Sequence, residues 1–306
     1  MSRDSKGSAL PGKPDIGKQE QLGDFAAKEL DTGLYLTATP IGHARDISLR
    51  ALDVLTQVDQ IAAEDTRVTS KLLAIHGISK PLTPYNDHNA ARERPRLIEK
   101  LKAGARIALV SDAGTPLVSD PGFKLAREAI AEGIAVHAIP GASAVLTGLC
   151  LSGLPSDRFL FAGFLPSKSG ERRTALEELK SLRATLIFFE SAQRLDDTLA
   201  DMLAVFGGRD AVVARELTKL HEEVRRGTLA DLAEHYAKAG APKGEVTLLI
   251  GPPPDVEADF AKIEEALEQA LPFMPLKAAS DLIAGLTGAP RKQVYDLGLK
   301  KKNAEP

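Results

Sequence analysis

From Gly33 to Gly251, short aliphatic runs alternate with amphipathic segments. A run of about four to eight apolar residues predicts a buried strand, whereas apolar positions three and four residues apart predict a helix packed on a sheet. Strands that alternate with helices are typical of an α/β domain, which we place at 32–155. Its predicted strands are 33–39, 59–63, 106–111 and 134–139, and its predicted helices are 49–58, 69–77, 92–104, 123–133 and 141–155.

The same alternation starts again after the segment LPSDR at 154–158. It predicts a second α/β domain at 156–251. The predicted strands of this domain are 159–165, 184–190, 210–216 and 245–251, and its predicted helices are 170–182, 194–208 and 229–240.

The two ends of the chain follow different patterns. Residues 1–31 are polar and rich in Gly, Pro and Lys, which predicts a disordered leader. The segment PPPDVEAD at 252–259 is typical of a proline-stiffened linker. Beyond it only helices are predicted, and a turn with Gly and Pro separates the last two in the manner of a helix-turn-helix. We therefore predict a small all-helical extension at 260–306.

Composition narrows the class of protein. The 306 residues contain 39 Lys and Arg against 42 Asp and Glu, and a formal charge of -3 argues against non-specific coating of nucleic acid. The single cysteine, Cys150, permits no intramolecular disulfide and is expected to be a small buried core residue. No run approaches the roughly 18 apolar residues of a membrane span, so we expect a cytoplasmic protein without membrane contact.

Several common chemistries lack their motifs. Neither GxGxxG after the first predicted strand nor GxxxxGK[ST] occurs, which disfavours dinucleotide and P-loop sites. The six histidines are scattered without a Cys pair or HExxH, so no metal site is expected. GxSxG is also missing, which disfavours hydrolysis by a serine nucleophile.

Three loops remain at the carboxyl ends of predicted strands, where open α/β sheets bind ligands. They are TPIG at 39–42, SDAGTP at 111–116 and PGASA at 140–144. Glycine and small residues let backbone amides and carbonyls approach a flat polar ligand. Each loop alone could be an ordinary turn, but three loops at equivalent sheet positions favour a binding site.

Longer segments resemble the class III S-adenosylmethionine-dependent methyltransferases, the tetrapyrrole methylase superfamily. The resemblance extends from about Gly33 to Gly251, and the tail from Pro275 is similar to a helical extension found in one branch. Next to TPIG, His43 and Ala44 stand where Asn and Leu are expected. The segments are TATPIGHARDISLRAL (37–52), AAEDTR (62–67), DHN (87–89), ALVSDAGTPLVSDPG (108–122), GLPSDRF (153–159), GFLPSKSGERR (163–173), TLIFFESAQRL (185–195), ARELTK (214–219) and KGEVTLLI (243–250).

The resemblance implies a specific activity. It implies two α/β domains with S-adenosylmethionine bound in the cleft between them. The branch methylates the ribose 2'-hydroxyl of a decoding-centre cytidine in 16S rRNA of the small ribosomal subunit, and it is expected to be homodimeric. The residues assigned to cofactor binding are Pro40, Gly42, Ser111, Asp112, Ala113, Gly114, Thr115, Pro116, Ser143 and Ala144.

Methyl transfer from a sulfonium is an in-line displacement, so it depends on alignment more than on a metal or a covalent nucleophile. The sulfonium loses its charge as it reacts, so neutral carbonyls and hydroxyls suit this pocket better than deep anionic groups.

A ribose hydroxyl also needs a general base or a cation that stabilises the developing alkoxide. Glu64 and Asp65 end the second strand, where adjacent side chains face opposite sides, so one acid is expected to act and Arg67 to hold it. The alternative is an acid cluster at a helix start. Glu190 and Lys219 follow strands of the second domain, and the choice among these four candidates stays open.

Positive groups for RNA phosphates are clustered although the total charge is acidic. The candidates could also form an ordinary solvated basic face. Residues 276–306 hold six Lys and Arg against three Asp and Glu, so we expect the tail to grip rRNA. The candidate RNA contacts are Arg67, Lys168, Arg172, Arg173, Arg215, Arg291 and Lys292, with Arg225 and Arg226 as a further pair.

Two rival functions stay open. One is a methyltransferase of the same fold acting on a tetrapyrrole or another small molecule, against which the basic tail and SKSGERR count. The other is a ligand-sensing regulator whose helix-turn-helix tail binds DNA.

Overall fold

A computed structural model describes residues 29–119, 122–254 and 260–302. Most of the predicted leader and most of the predicted linker lie outside these residues. Contacts divide the chain into two units, 1–143 and 144–306.

The first unit contains a five-stranded sheet of order β3-β2-β4-β1-β5 in which every pairing is parallel. The α/β prediction is confirmed for this unit, whereas β3 was missed because three residues are too few to show a pattern. The strands are β1 Gly33–Thr37, β2 Gln60–Ala63, β3 Leu82–Pro84, β4 Arg106–Val110 and β5 Val136–Ile139, and the helices are α1 Leu49–Gln57, α2 Thr66–Ile75, α3 Ala90–Lys102 and α4 Phe123–Ala131.

Both faces of this sheet are buried, as is usual for parallel sheets. In β1, Leu34 packs into one apolar cluster and Tyr35 into the other. Side-chain caps begin two of the crossover helices: Ser48 accepts the Ala51 N–H at the start of α1, and Asp65 accepts the Arg67 N–H at the start of α2. These caps fix the starts of α1 and α2 and therefore the ends of the loops that precede these helices.

The second unit begins with a helix and contains a mixed sheet of order β6-β7-β10-β8-β9. Only β6 and β7 pair in parallel. Strand β9 was missed, because its sequence EVRRGT is polar. The elements are α5 Ala144–Ser152, β6 Phe159–Phe164, α6 Ser169–Leu179, β7 Thr185–Ser191, α7 Leu195–Phe206, β8 Asp210–Arg215, β9 Glu223–Thr228, α8 Leu229–Ala239 and β10 Glu245–Ile250.

Helix α5 belongs to the second unit, which moves the join expected at 155 to 143. A Cβ on Gly148 would lie 3.3 Å from Thr247 and 3.4 Å from Leu249, so the helix packs closely on β10. Cys150 lies on the outer side of α5 and is exposed, so the expectation of a buried core cysteine was wrong. A helix whose sequence is largely apolar is still buried only on the side that packs against a sheet.

The helical extension is confirmed. It consists of α9 Phe260–Ala270, α10 Leu276–Thr287 and α11 Arg291–Lys302. Gly288 ends α10 in the left-handed conformation at φ 69°. The three helices share a small core of Ile263, Leu267, Ala279, Ile283, Ala289 and Val294. None of the described helices combines the length and the apolar composition that a membrane span requires.

Candidate active site

Three loops meet at the carboxyl edge of the first sheet, after β1, β4 and β5. Thr39 and Gly114 exchange two backbone hydrogen bonds, of 2.9 and 3.1 Å. The Thr39 hydroxyl donates to the Ser111 carbonyl at 3.2 Å, and the Thr115 hydroxyl donates to the Ala142 carbonyl at 3.2 Å. The loops predicted separately from sequence therefore form one continuous surface.

Two glycines permit the close approach of these loops. Gly114 has φ +83°, and a Cβ there would lie 3.2 Å from the Ile41 side chain. A Cβ on Gly141 would lie only 2.8 Å from the Cβ of Ala38. A side chain at either position would therefore push the loops apart.

The ten residues assigned to cofactor binding differ in exposure. Gly42, Asp112 and Ala113 are exposed, and the half-buried positions are Thr115, Ser143 and Ala144. The buried positions are Pro40, Ser111, Gly114 and Pro116, which support the loops rather than offer side chains.

Glu64 and Asp112 link the ends of β2 and β4. The Asp65 N–H donates to Asp112 Oδ1 at 2.9 Å, and the Asp112 N–H donates to Glu64 Oε2 at 3.2 Å. Burial raises the pKa of Glu64, and nearby Asp112 and Asp87 add to that rise. Burial also raises the pKa of Asp112. Glu64 is therefore a stronger base than an exposed glutamate.

Asp65 has a different role. Its carboxylate is bound by the Arg67 guanidinium at 2.5 Å and caps α2. Hydrogen bonds from Arg67 lower the pKa of Asp65 to about 2. The alternative interpretation, an acid at a helix start, is the one that the geometry of Asp65 supports. Arg67 remains exposed next to it.

Asn86 was missed from sequence. It follows β3, and its Nδ2 donates to the Glu64 carbonyl at 3.4 Å, while its Oδ1 is buried without a partner among the described residues. Its only signal in sequence was its place directly before the DHN segment.

Glu190 lies in an enclosed cluster of polar groups. Its side chain is 0% exposed. It accepts from Arg194 at 2.5 Å and from the Thr198 hydroxyl at 2.7 Å. These contacts give Glu190 a structural role, because a carboxylate enclosed in this way cannot reach a ribose hydroxyl.

The SKSGERR segment divides into buried and exposed cations. Arg172 is buried, with its side chain 3% exposed, and it pairs with Asp201 at 2.6 Å. The expectation that Arg172 contacts RNA therefore conflicts with its position inside the fold. Arg173 also pairs with Asp201 but is 55% exposed, and Lys168 is exposed beside Glu171. These last two cations can still meet a phosphate.

The cationic side chains near β8 and β9 are bound by carboxylates or backbone carbonyls of the protein. Lys219 pairs with Glu216 and Glu245, both at 2.8 Å. Arg215 pairs with Glu223 at 3.0 Å, and Arg226 donates to the carbonyls of Leu151 and Ser152 at the end of α5.

The helical extension keeps its cations at the surface. Arg291 pairs with Asp281, and Lys292 is exposed at the start of α11. Within the described part of the chain, no cluster of three or more His, Cys, Asp or Glu side chains could hold a metal ion.

Comparisons with known proteins identify the family of this chain. A family model described as Tetrapyrrole (Corrin/Porphyrin) Methylases matches residues 33–233, and one described as the RsmI C-terminal HTH domain matches 257–302. The chain is 50% identical over 281 residues to "Ribosomal RNA small subunit methyltransferase I" of Mesorhizobium japonicum, covering 92% of this chain and 96% of that protein. It is 46% identical to the protein of the same name from Haemophilus influenzae, covering 87% and 96%.

Solved structures show the fold. The uroporphyrin-III-C-methyltransferase of Thermus thermophilus superposes with a TM-score of 0.54 at 23% identity, covering 72% of this chain and 94% of that one. A uroporphyrin-III C-methyltransferase from the same organism, solved in complex with S-adenosylhomocysteine, has a TM-score of 0.52 at 17% identity, covering 71% and 96%.

Proposed function

This chain belongs to the tetrapyrrole methylase family and to its branch of small-subunit ribosomal RNA methyltransferases, and on that premise we propose that it methylates the ribose 2'-hydroxyl of a cytidine in 16S rRNA. The methyl donor is S-adenosylmethionine. The observation that supports this function best is the joined surface of the β1, β4 and β5 loops at the carboxyl edge of the parallel sheet.

The residues at this edge suit the cofactor. Gly114 and Gly141 let the three loops pack closely, because a Cβ on either glycine would meet the side chain of Ile41 or Ala38. The hydroxyls of Thr39 and Thr115 are held in place, and the exposed residues Asp112 and Ala113 follow β4. Neutral donors and acceptors of this kind match a ligand with adenine, ribose and amino-acid parts.

When bound, S-adenosylmethionine supplies an electrophilic methyl group on a sulfonium. We assign to Glu64 the role of general base, which accepts the proton of the 2'-hydroxyl at a carboxylate oxygen. Glu64 suits this role because burial raises its pKa, while Asp65 is neutralised by Arg67 and Glu190 is enclosed. Asp112 positions Glu64 through the hydrogen bond from its own N–H.

RNA contacts are assigned to the exposed cations on the second unit and its extension. Arg173 and Lys168 in the second unit and Lys292 in the extension are the main candidates. We further propose that the substrate is the small subunit or its rRNA, that the protein works in the cytoplasm where these are found, and that it forms a homodimer.

The test uses small ribosomal subunits, and separately naked rRNA, from a strain that lacks the activity. The full-length protein is incubated with methyl-labelled S-adenosylmethionine, the RNA is digested, and nucleosides are separated. Label in 2'-O-methylcytidine is expected. Label in a base or in no nucleoside would contradict the proposal, and transfer to a tetrapyrrole instead would favour the rival function. Glu64→Gln serves as a variant with the site intact but without the base.

A further inference from the structure

The turn between β8 and β9, residues 216–222, is strained and yet firmly held. Glu216 has φ +50° and Thr218 has φ +62°, although neither is glycine. Such left-handed backbone is costly for these side chains and persists only where surrounding contacts enforce it. Strain of this kind is concentrated at binding and catalytic sites.

Hydrogen bonds fix the turn from both sides. The Glu216 N–H donates to the Glu245 carbonyl at 3.0 Å, and the Glu245 N–H donates to Glu216 Oε1 at 3.1 Å. Across the turn, the Thr218 N–H donates to Glu222 Oε2 at 2.7 Å. Gly244 permits this approach, because a Cβ there would lie 2.4 Å from the Glu216 carboxyl carbon.

Lys219 forms ion pairs that hold the turn, so its ammonium is not available to bind substrate. Its ammonium is held by Glu216 and Glu245. Burial alone would lower the pKa of Lys219, but the hydrogen bonds from these two carboxylates outweigh burial and raise the pKa. An ammonium bound to two carboxylates is a poor partner for a developing alkoxide. Lys219 is therefore a positioning residue.

Two leucines of the turn differ sharply in burial. Leu217 is buried, close to the position that a Cβ on Gly148 would occupy. Leu220 is 93% exposed. The strain and the hydrogen bonds thus hold one large apolar side chain in water, where it stabilises nothing in the described fold.

We propose that Leu220 is a wedge that inserts between nucleobases of the RNA substrate and unstacks them. This inference rests on the proposed function, because it requires an RNA substrate. Apolar side chains such as Leu that are inserted between bases unstack them. A rigid turn reduces the entropy lost when the side chain is inserted.

The surroundings of Leu220 favour a base over a protein partner. Its neighbours Lys219, His221 and Glu222 are polar, so the turn offers one apolar side chain and not an apolar patch. Specific protein interfaces bury about 800 Å² on each partner around an apolar core. A single projecting leucine suits a gap between two stacked bases.

The experiment compares wild type, Leu220→Ala and Leu220→Phe in single-turnover methylation of small ribosomal subunits. We expect Leu220→Ala to lower the rate about tenfold or more, and Leu220→Phe to retain most of it because a larger apolar group still fills the gap. Calorimetric affinity for S-adenosylmethionine should be unchanged. Leu49→Ala is the matched control, since Leu49 is also exposed, at 77%, but lies on α1.

Variants of Lys219 provide a second test of the same inference. Lys219→Met should resemble Leu220→Ala, and Lys219→Arg should restore the rate because the two carboxylates are again bridged. Wild-type rates for Leu220→Ala would overturn the inference, as would dissociation of a dimer by that variant, which would make Leu220 a contact between copies. If wild type itself fails to label 2'-O-methylcytidine, the proposed function fails and the inference fails with it.

Discussion

Replacing Arg172 by Ala should reduce stability and leave RNA affinity nearly unchanged once the protein is folded. Arg172 is 3% exposed and Asp201 is 4% exposed, and they meet at 2.6 Å. Removing one partner of a buried pair costs roughly 3–5 kcal/mol, because the other charge stays buried. Asp201 keeps bonds from Arg173 and Ser169, so we expect the lower end, about 3 kcal/mol.

The expected change in melting temperature follows from that free energy. For a unit the size of 144–306, each kcal/mol shifts Tm by about 2–4 °C. Arg172→Ala should therefore lower the Tm of this unit by roughly 6–12 °C. The Tm is measured by thermal unfolding, monitored by circular dichroism and by calorimetry. The rRNA affinities of wild type and Arg172→Ala are then compared at a temperature where both proteins are folded.

Two variants serve as controls. Arg173→Ala removes a cation that is 55% exposed, so it should cost less than about 1 kcal/mol in stability and weaken rRNA binding. Replacing both partners, as Arg172→Met with Asp201→Leu, should recover much of the lost stability because no buried charge remains. An Arg172→Ala protein that melts like wild type but binds rRNA poorly would refute the structural role of Arg172.

Three further outcomes are expected. Glu64→Gln should lower the methylation rate about 100-fold or more and should abolish the acid limb of the pH profile, which in wild type lies above the usual glutamate range because burial raises the pKa of Glu64. Gly141→Ala should weaken S-adenosylmethionine binding in calorimetry and also lower Tm, because its Cβ would press on the buried Ala38 and displace the loop. The stability that Asp65 contributes through Arg67 should be present above about pH 3.9 and lost as pH falls toward about 2, so the urea midpoints of wild type and Asp65→Asn should converge in acid.

The elements with strong periodicity could be predicted from sequence, and the short or polar ones could not. Helix α1 ends within one residue of its prediction, because Ser48 caps its start and the apolar positions Ala51, Val54 and Leu55 recur along one face. Strand β9, EVRRGT, is mostly polar and lies at a sheet edge, and only its pairing with β8 identifies it. Pairing is a long-range property that a local pattern does not contain.

Some features of the candidate site could also be predicted from sequence, and others could not. The three loops could be predicted, because Gly and Pro at strand ends are visible in sequence. The sequence could not predict which acid is available as the general base, because the acids differ in their partners. Glu64 accepts from a backbone N–H, Asp65 pairs with an exposed guanidinium, and Glu190 lies in an enclosed ion pair. Arg172 and Arg173 are adjacent in sequence, yet only one is buried, because the helix turns about 100° between them.

The partners of the acids also bear on the rate of methyl transfer. Glu64, Asp112 and Asp65 lie together at the carboxyl edge, and three unpaired carboxylates would stabilise a cationic ground state that loses its charge on reaction. Arg67 offsets the charge of Asp65, and backbone N–H groups bind Glu64 and Asp112. The edge thus retains Glu64 and Asp112 as bases of raised pKa without a strong negative field. We infer that Arg67 serves this site by its charge on Asp65, which is a different role from the phosphate contact expected from sequence.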